Sequence, residues 1–319
     1  MSKKLMFRAV ALAAVFIVSV AAVQAAEVTV EKSEQGAVVM IDGELFTEYV
    51  TDINGTPACW PIIGPTGDRM TRDYPMQDGP ESEKQDHPHH RSLWFNHGDV
   101  NGRSFWHIDP IVHREFVQME SDGETAVIVT RNDWVTKDTN ETLCRDVRSL
   151  AFGVMDCGAR YIDFDITITA VADKVVFGDT KEGNMGVRVP GTMKVDAADN
   201  NPEWGGHILN AEGLVEADAW GKRSPWVDYY GPVEGETVGI AILNHPDSYN
   251  FPTYWHVRTY GLFAANPFGA SYFDGGDADG TLELAKGDDF TLRYRIIFHE
   301  GDAEEAGIAQ AYEVYAETE

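Results

Sequence analysis

Residues 161–171 read YIDFDITITAV, with Ile162, Phe164, Ile166 and Ile168 in one parity and Asp163, Asp165, Thr167 and Thr169 in the other. A period of two over this length predicts a strand with one face buried and one face wet. Residues 290–298, FTLRYRIIF, repeat the pattern through Phe290, Leu292, Tyr294, Ile296 and Phe298. Shorter stretches of the same kind fall at Val28–Lys32, 37–41, 126–130, 143–152, 186–195 and 238–243. Asp42-Gly43, Gly158 and Lys286-Gly287-Asp288 punctuate them as turns. Helical spacing is persuasive only near the C-terminus, where Ile308, Ala311, Tyr312 and Tyr315 recur in AEEAGIAQAYEVYAE.

Many short strands and one terminal helix predict an all-β chain, a single large antiparallel β-sandwich over residues 27–319. A supersandwich of the galactose-mutarotase type is one form of that fold. The turn-rich segments 55–113 and 204–235 are expected as long loops, and loops of that length usually carry function.

The N-terminus changes the expected setting. Lys3, Lys4 and Arg8 precede an apolar run from Ala9 to Val23, followed by the small residues Ala25 and Ala26. This is the pattern of a secretory signal peptide over residues 1–26, and it implies an exported, periplasmic or extracellular protein. The run is shorter than the ~20 residues that span a bilayer, so no membrane insertion is expected after cleavage. Three of the 25 Lys and Arg and none of the 52 Asp and Glu lie in that leader, so its loss would move the formal charge from −27 to −30. Such a field repels phosphate backbones and argues against nucleic-acid partners, while leaving room for a local basic pocket that holds one acid group. Of the three cysteines, Cys144 and Cys157 are spaced to pair across neighbouring strands; the alternative is free thiols.

The chemistry concentrates in DHPHHRSLWFNHGDVNGRSFW, residues 86–106. Six of the ten histidines, His87, His89, His90, His97, His107 and His113, fall in one segment. In an extended loop His87 and His89 point to one side and His90 to the other. The pair can offer two imidazoles to a divalent metal, with a third ligand from elsewhere. Alternatively the cluster lines a substrate pocket, with His90 as acid or base and Trp94 and Asn96 as substrate contacts. A single histidine of the set is as readily a structural one.

A second block, NHPDSYNFPTYWHVRTYGLFAANPFG (244–269), mixes His245, Trp255, His256, Arg258, Tyr260 and Asn266. Rings that stack on sugar faces beside groups that bind hydroxyls have this composition; an aromatic core is the rival, preferred for Phe263 and Phe268. A third, KEGNMGVRVPGTM (181–193), sets Glu182 and Arg188 around a tight glycine stretch. These two either position a substrate or form a plain ion pair. No P-loop, dinucleotide fingerprint, nucleophile elbow or CxxC is present.

Taken in order, these three runs resemble the exported bacterial family catalogued as "methane oxygenase PmoA", or PmoA-like, over residues 45–298. The membrane subunit of particulate methane monooxygenase is a multi-helix integral protein, and this chain is β-patterned, so the name reads as a label and implies no reaction. What the resemblance implies is an exported protein of bacteria rich in carbohydrate-degrading systems.

The favoured expectation is a carbohydrate-active enzyme of epimerase, lyase or hydrolase type, its substrate a sugar or oligosaccharide. In it His90, His256, Arg188 and Arg258 are catalytic, and Glu182, Trp94, Asn96, His245, Trp255, Tyr260 and Asn266 bind substrate. Two alternatives are a non-catalytic sugar-binding protein and a metal-dependent oxidase or oxygenase with copper or iron on His87, His89 and His256.

Overall fold

The computed structural model describes residues 25–318. The signal peptide expected at residues 1–26 therefore lies outside the described residues except for Ala25 and Ala26. Among the described residues no helix is long and apolar enough to cross a membrane.

Two eight-stranded antiparallel sheets face each other. The first runs, in spatial order, β1 (Val28–Lys32), β2 (Gly36–Ile41), β3 (Glu44–Ile53), β4 (Thr56–Ile62), β5 (Leu93–His97), β11 (Gly183–Arg188), β16 (Leu262–Asn266) and β15 (Tyr254–Val257). The second runs β12 (His207–Asn210), β13 (Trp226–Val233), β14 (Glu236–Asn244), β18 (Asp289–Glu300), β9 (Arg160–Ala170), β8 (Thr142–Val154), β7 (Ala126–Val135) and β6 (Ile111–Ser121). A ribbon of β10 (Lys174–Phe177) with β17 (Leu282–Ala285), and two short helices, α1 (Ala270–Phe273) and α2 (Ile308–Tyr315), complete it. The all-β sandwich with a C-terminal helix is the expected one.

The alternation in β9 works as its sequence suggests. Ile162, Phe164, Ile166 and Ile168 enter the core between the sheets. On the opposite face, cross-strand register sets Asp163 against Arg295 and Asp165 against Arg293, and both pairs form ion pairs. Helix α2 closes over the outer face of the second sheet, packing Ile308, Ala311 and Tyr315 on Trp226, Leu243 and Ile297. The turn at Asp42-Gly43 has φ of 52° and 79°, the left-handed pair of a tight hairpin that Asp and Gly tolerate.

The core also holds a charge pair. Asp146, on the inward parity of β8, accepts from Trp134 Nε1 at 2.7 Å, Asn132 Nδ2 at 2.7 Å and both Arg148 Nε and a terminal nitrogen at 3.0 Å. Every strong acceptor position of this buried carboxylate is used, which is what makes its burial tolerable.

Three expectations change here. Segments 55–113 and 204–235 are not loops throughout: β4, β5 and the start of β6 lie in the first, β12 and β13 in the second. β5 is buried on both faces, Pro interrupts β4, Gly231 and Pro232 interrupt β13, and β12 is only four residues long, so no clean alternation marks them. The strand expected at 186–195 starts earlier and ends at Arg188, since Pro190 cannot continue the ladder. Cys144 and Cys157 do not pair: Cys144 is buried on β8, whereas Cys157 is exposed in the turn beyond the far end of that strand.

Candidate functional site

The first sheet has a second face, turned away from the core, and its middle strands build the site there. Parity on β5 sends Leu93 and Phe95 into the core and leaves Trp94 and Asn96 on this face. Register then carries one row across the sheet: Trp94 on β5, Gly186 on β11, Ala264 on β16 and His256 on β15. A Cβ on Gly186 would stand 2.7 Å from the Trp94 ring, so glycine is what lets the indole lie across β11. Arg188 shares the parity of Gly186 and lies two residues further on.

On Trp94 stands a column of rings. His90 stacks on Trp94 (centroids 5.3 Å apart, planes at 17°), His87 on His90 (4.9 Å, 11°) and Tyr260 on His87 (5.7 Å, 12°). His89 meets the edge of His90 at 4.5 Å and His107 at 4.3 Å, and Trp106 closes the side at 5.4 Å from Trp94. The column exists because residues 87–90 form a turn, not an extended loop. His87 adopts a positive φ of 46°, and His90 N–H donates to the His87 carbonyl at 3.0 Å. That corrects the expected alternation: all three imidazoles gather on one side.

Arg72 fixes the turn. Its buried guanidinium donates to the carbonyls of Tyr74, Lys84 and His87 and, at 2.9 Å, to Asp86 Oδ1. The same Asp86 oxygen contacts His87 Nδ1 at 3.1 Å and an Arg188 terminal nitrogen at 3.4 Å. Arg188 lies over the Tyr260 ring at 5.0 Å, and Arg258 lies over both Tyr260, at 5.3 Å, and Trp220, at 5.8 Å. Trp220 Nε1 in turn donates to His256 Nδ1 at 3.3 Å.

Burial sets the protonation. Desolvation, helped by the charges of His107, His87 and Arg91, lowers His89 to about 3. Desolvation and then Arg188 push His90 well below the usual imidazole range, and desolvation with Lys181 and Arg258 takes His256 to about 3. All three are neutral near pH 7, able to accept a proton but not to donate one as an acid. His90 Nδ1, Trp106 Nε1 and two Arg188 nitrogens, Nε and a terminal one, are buried without a hydrogen-bond partner.

The expected site residues divide. His87, His89, His90, Trp94, Arg188, Arg258 and Tyr260 come together. His256 shares the face but lies three strands from Trp94, roughly 14 Å at ordinary strand spacing, and connects through Trp220 and Arg258. Glu182 is partly buried at the margin and paired with Lys181. Asn96 and Asn266 are spent within the protein: Asn96 donates to the Phe105 carbonyl and accepts from Trp94 Nε1 at 3.2 Å, and Asn266 donates to the Thr180 carbonyl and accepts from Phe268 N–H. Trp255 has the opposite parity from His256, packs in the core and donates to the Ser224 carbonyl, so it cannot bind substrate. His245 lies just past the end of β14 in the other sheet, bridging to the Thr318 carbonyl and meeting Tyr315 edge to face. The metal pair is also corrected. Among the described residues no group of three or more His, Cys, Asp or Glu is arranged to hold an ion. His87 and His89 meet edge to face with centroids 5.6 Å apart, and the third ligand expected, His256, already accepts from Trp220 at its Nδ1 on β15.

Sequence reading missed Arg72, Asp86, Trp106 and Trp220. Arg72 precedes a Tyr-Pro pair within a long polar stretch, a weak signal. The loop it organises also borders a cleft of about 860 Å³ lined by Thr71, Asp73, Glu83, Thr192 and Trp204 among others. There burial raises Glu83 to about 7 although it accepts from the Asp73 and Tyr74 amides.

A family model described as "Family of unknown function (DUF6807)" matches residues 36–313. That finding overturns the PmoA-like resemblance, and nothing matched carries a methane-oxygenase name. No curated protein sequence matches the chain. Among solved structures, it is similar to a beta-arabinopyranosidase, with 11% identity over 85% of this chain and 38% of that one, at TM-score 0.35. A Glycoside Hydrolase Family 97 enzyme from Pseudoalteromonas sp. strain K8, in complex with acarbose, aligns at 9% identity over 85% of this chain and 34% of the other, at TM-score 0.32. A galactose mutarotase related enzyme from Lactobacillus acidophilus aligns at 12% identity over 86% and 95%, at TM-score 0.31. The chain thus spans little more than a third of the first two. At these identities and scores the chemistry rests on this chain's own residues.

Proposed function

This chain belongs to the DUF6807 family, a family of unknown function, and from its own site we propose that it is a carbohydrate-active protein that binds a sugar or oligosaccharide on the outer face of its first sheet and acts on it by proton transfer. The observation that carries this reading is the ring column Trp94–His90–His87–Tyr260 beside Arg188 and Arg258. The ring faces are taken up by one another and by the two arginines, so it is the ring edges and the guanidinium donors that suit the oxygens of a sugar. His90, neutral and with Nδ1 unpaired, has a lone pair that can accept a proton, though its lowered pKa makes it a weaker base than a free imidazole; Arg188 and Arg258 are suited to stabilise the negative charge that develops. Epimerase- and lyase-type reactions need this combination. Hydrolysis by a carboxylate pair is less favoured, because Asp86 is tied to Arg72 and Arg188 and Glu182 to Lys181.

The test is a panel of mono- and oligosaccharides, neutral and acidic, offered to tag-free protein, with binding followed by calorimetry and turnover by mass and absorbance of unsaturated products. Binding of at least one saccharide that is lost in Trp94→Ala is the expected result. No binding across the panel would end the proposal.

A further inference from the structure

We infer that the saccharide bound here carries an anionic substituent, and that Arg188 is the residue that selects it. The inference rests on the sugar-binding reading and names its substrate class. Arg188 is 2% exposed, yet its Nε and one terminal nitrogen have no hydrogen-bond partner, and its third nitrogen has only the 3.4 Å contact to Asp86. Leaving a buried guanidinium this poorly paired is costly unless another anion answers it. Among the described residues the carboxylate paired with Arg188 is divided, since Asp86 Oδ1 also serves Arg72 at 2.9 Å and His87 Nδ1 at 3.1 Å. Lys194, 8% exposed, adds a further buried cation whose charge acts on the same region. A local cationic surplus inside a chain of formal charge −27 runs against the general composition. It is placed beside Tyr260 and the ring column, where a sugar ring would lie.

Access runs past the Asp86-His87 turn, whose side chains are 39% and 42% exposed. Asp86 in its long contact stands where the ligand's anion would go, so binding displaces its carboxylate from Arg188 while Arg72 keeps it.

The experiment measures dissociation constants by calorimetry for methyl glucuronide and methyl galacturonide against methyl glucoside and methyl galactoside, with glucose 6-sulfate and inorganic sulfate as further probes. Acidic sugars are expected to bind at least tenfold more tightly than their neutral counterparts. Arg188→Gln should weaken acidic sugars far more than neutral ones and so abolish the preference. The carboxylate and sulfate-ester arms tell which anion the site takes. Equal affinity for acidic and neutral sugars in the unaltered protein would overturn this inference and leave the sugar-binding reading standing. Failure of every sugar would overturn both. Inorganic sulfate binding as tightly as the acidic sugars would mean a plain anion trap and would also overturn it. If Arg188→Gln does not fold, Asp86→Asn decides alongside the wild-type selectivity: acid-sugar affinity should rise severalfold, and a fall would refute the displacement.

Discussion

At the scale of single residues the site depends on small steric and electrostatic choices. Gly186→Ala would drive a methyl to 2.7 Å from the Trp94 ring and tilt the base of the column. A loss of about 1–3 kcal/mol in chemical denaturation is expected, together with loss of saccharide binding. His90→Ala should lower turnover by about 10²–10⁴-fold while the melting temperature falls only modestly; unchanged turnover per folded molecule would remove His90 from the mechanism. Buried imidazoles also set a pH dependence. His97, fully buried in the core, is lowered to about 4 by desolvation, only partly offset by the Gly178 carbonyl, and His89 and His256 are lowered to about 3. In the unfolded chain each titrates near the ordinary value of about 6.5. Below that value the unfolded state binds more protons than the folded one, so stability is full above it and is lost as pH falls toward the folded values. Denaturation at pH 7.5, 5.5 and 4.5 should show progressive loss, with His97 alone accounting for about 3 kcal/mol by pH 4. His299 works in the other direction: burial opposes its charge, but Asp228 at 3.0 Å outweighs it and raises its pKa, so its contribution is present at low pH and fades as pH rises.

Among elements, β8 and the 72–87 loop matter most. Asp146→Asn would leave Arg148, 1% exposed, as an unpaired cation between the sheets. A loss of about 3–5 kcal/mol in denaturant midpoint analysis is expected, without change in saccharide selectivity, because this network faces the core and the site faces outward. Cooperative unfolding unchanged by the substitution would show that the pair is not needed. The loop behaves differently, since its shape hangs on a few polar side chains: Arg72 with its four acceptors, and Glu83, which accepts from the Asp73 and Tyr74 amides.

For the whole molecule, the formal charge of −27 and a cationic pocket oppose each other. The long-range field slows the approach of an anionic ligand, while the buried contacts that hold it are poorly screened. Association rates for an acidic sugar should therefore rise severalfold from about 10 to 150 mM salt, with dissociation rates little changed, as stopped-flow measurement would read.

Legibility followed the same scales. The alternations in β9 and β18, the hairpin turns and α2 were readable because the parity of a strand, the φ of a turn and the spacing of a helix are local properties. The ends of β11 and the strands hidden in 55–113 were not, because buried short strands lose the polar half of their pattern. The sequence also marked which residue types are unusual here, histidines, arginines and rings in three separate runs, and that was enough to assemble most of the site by composition. It could not distribute them. Trp255 and His256 differ by one position, yet one is core and the other outward, which follows only from knowing which face of β15 meets the second sheet. His97 and His90 likewise parted because β5 turns one parity inward and the turn at His87 folds the other imidazoles together. Those decisions, and the choice of Arg72 and Asp86 as the groups that hold the turn, were made by tertiary structure, since they depend on contacts between strands and loops remote in the chain.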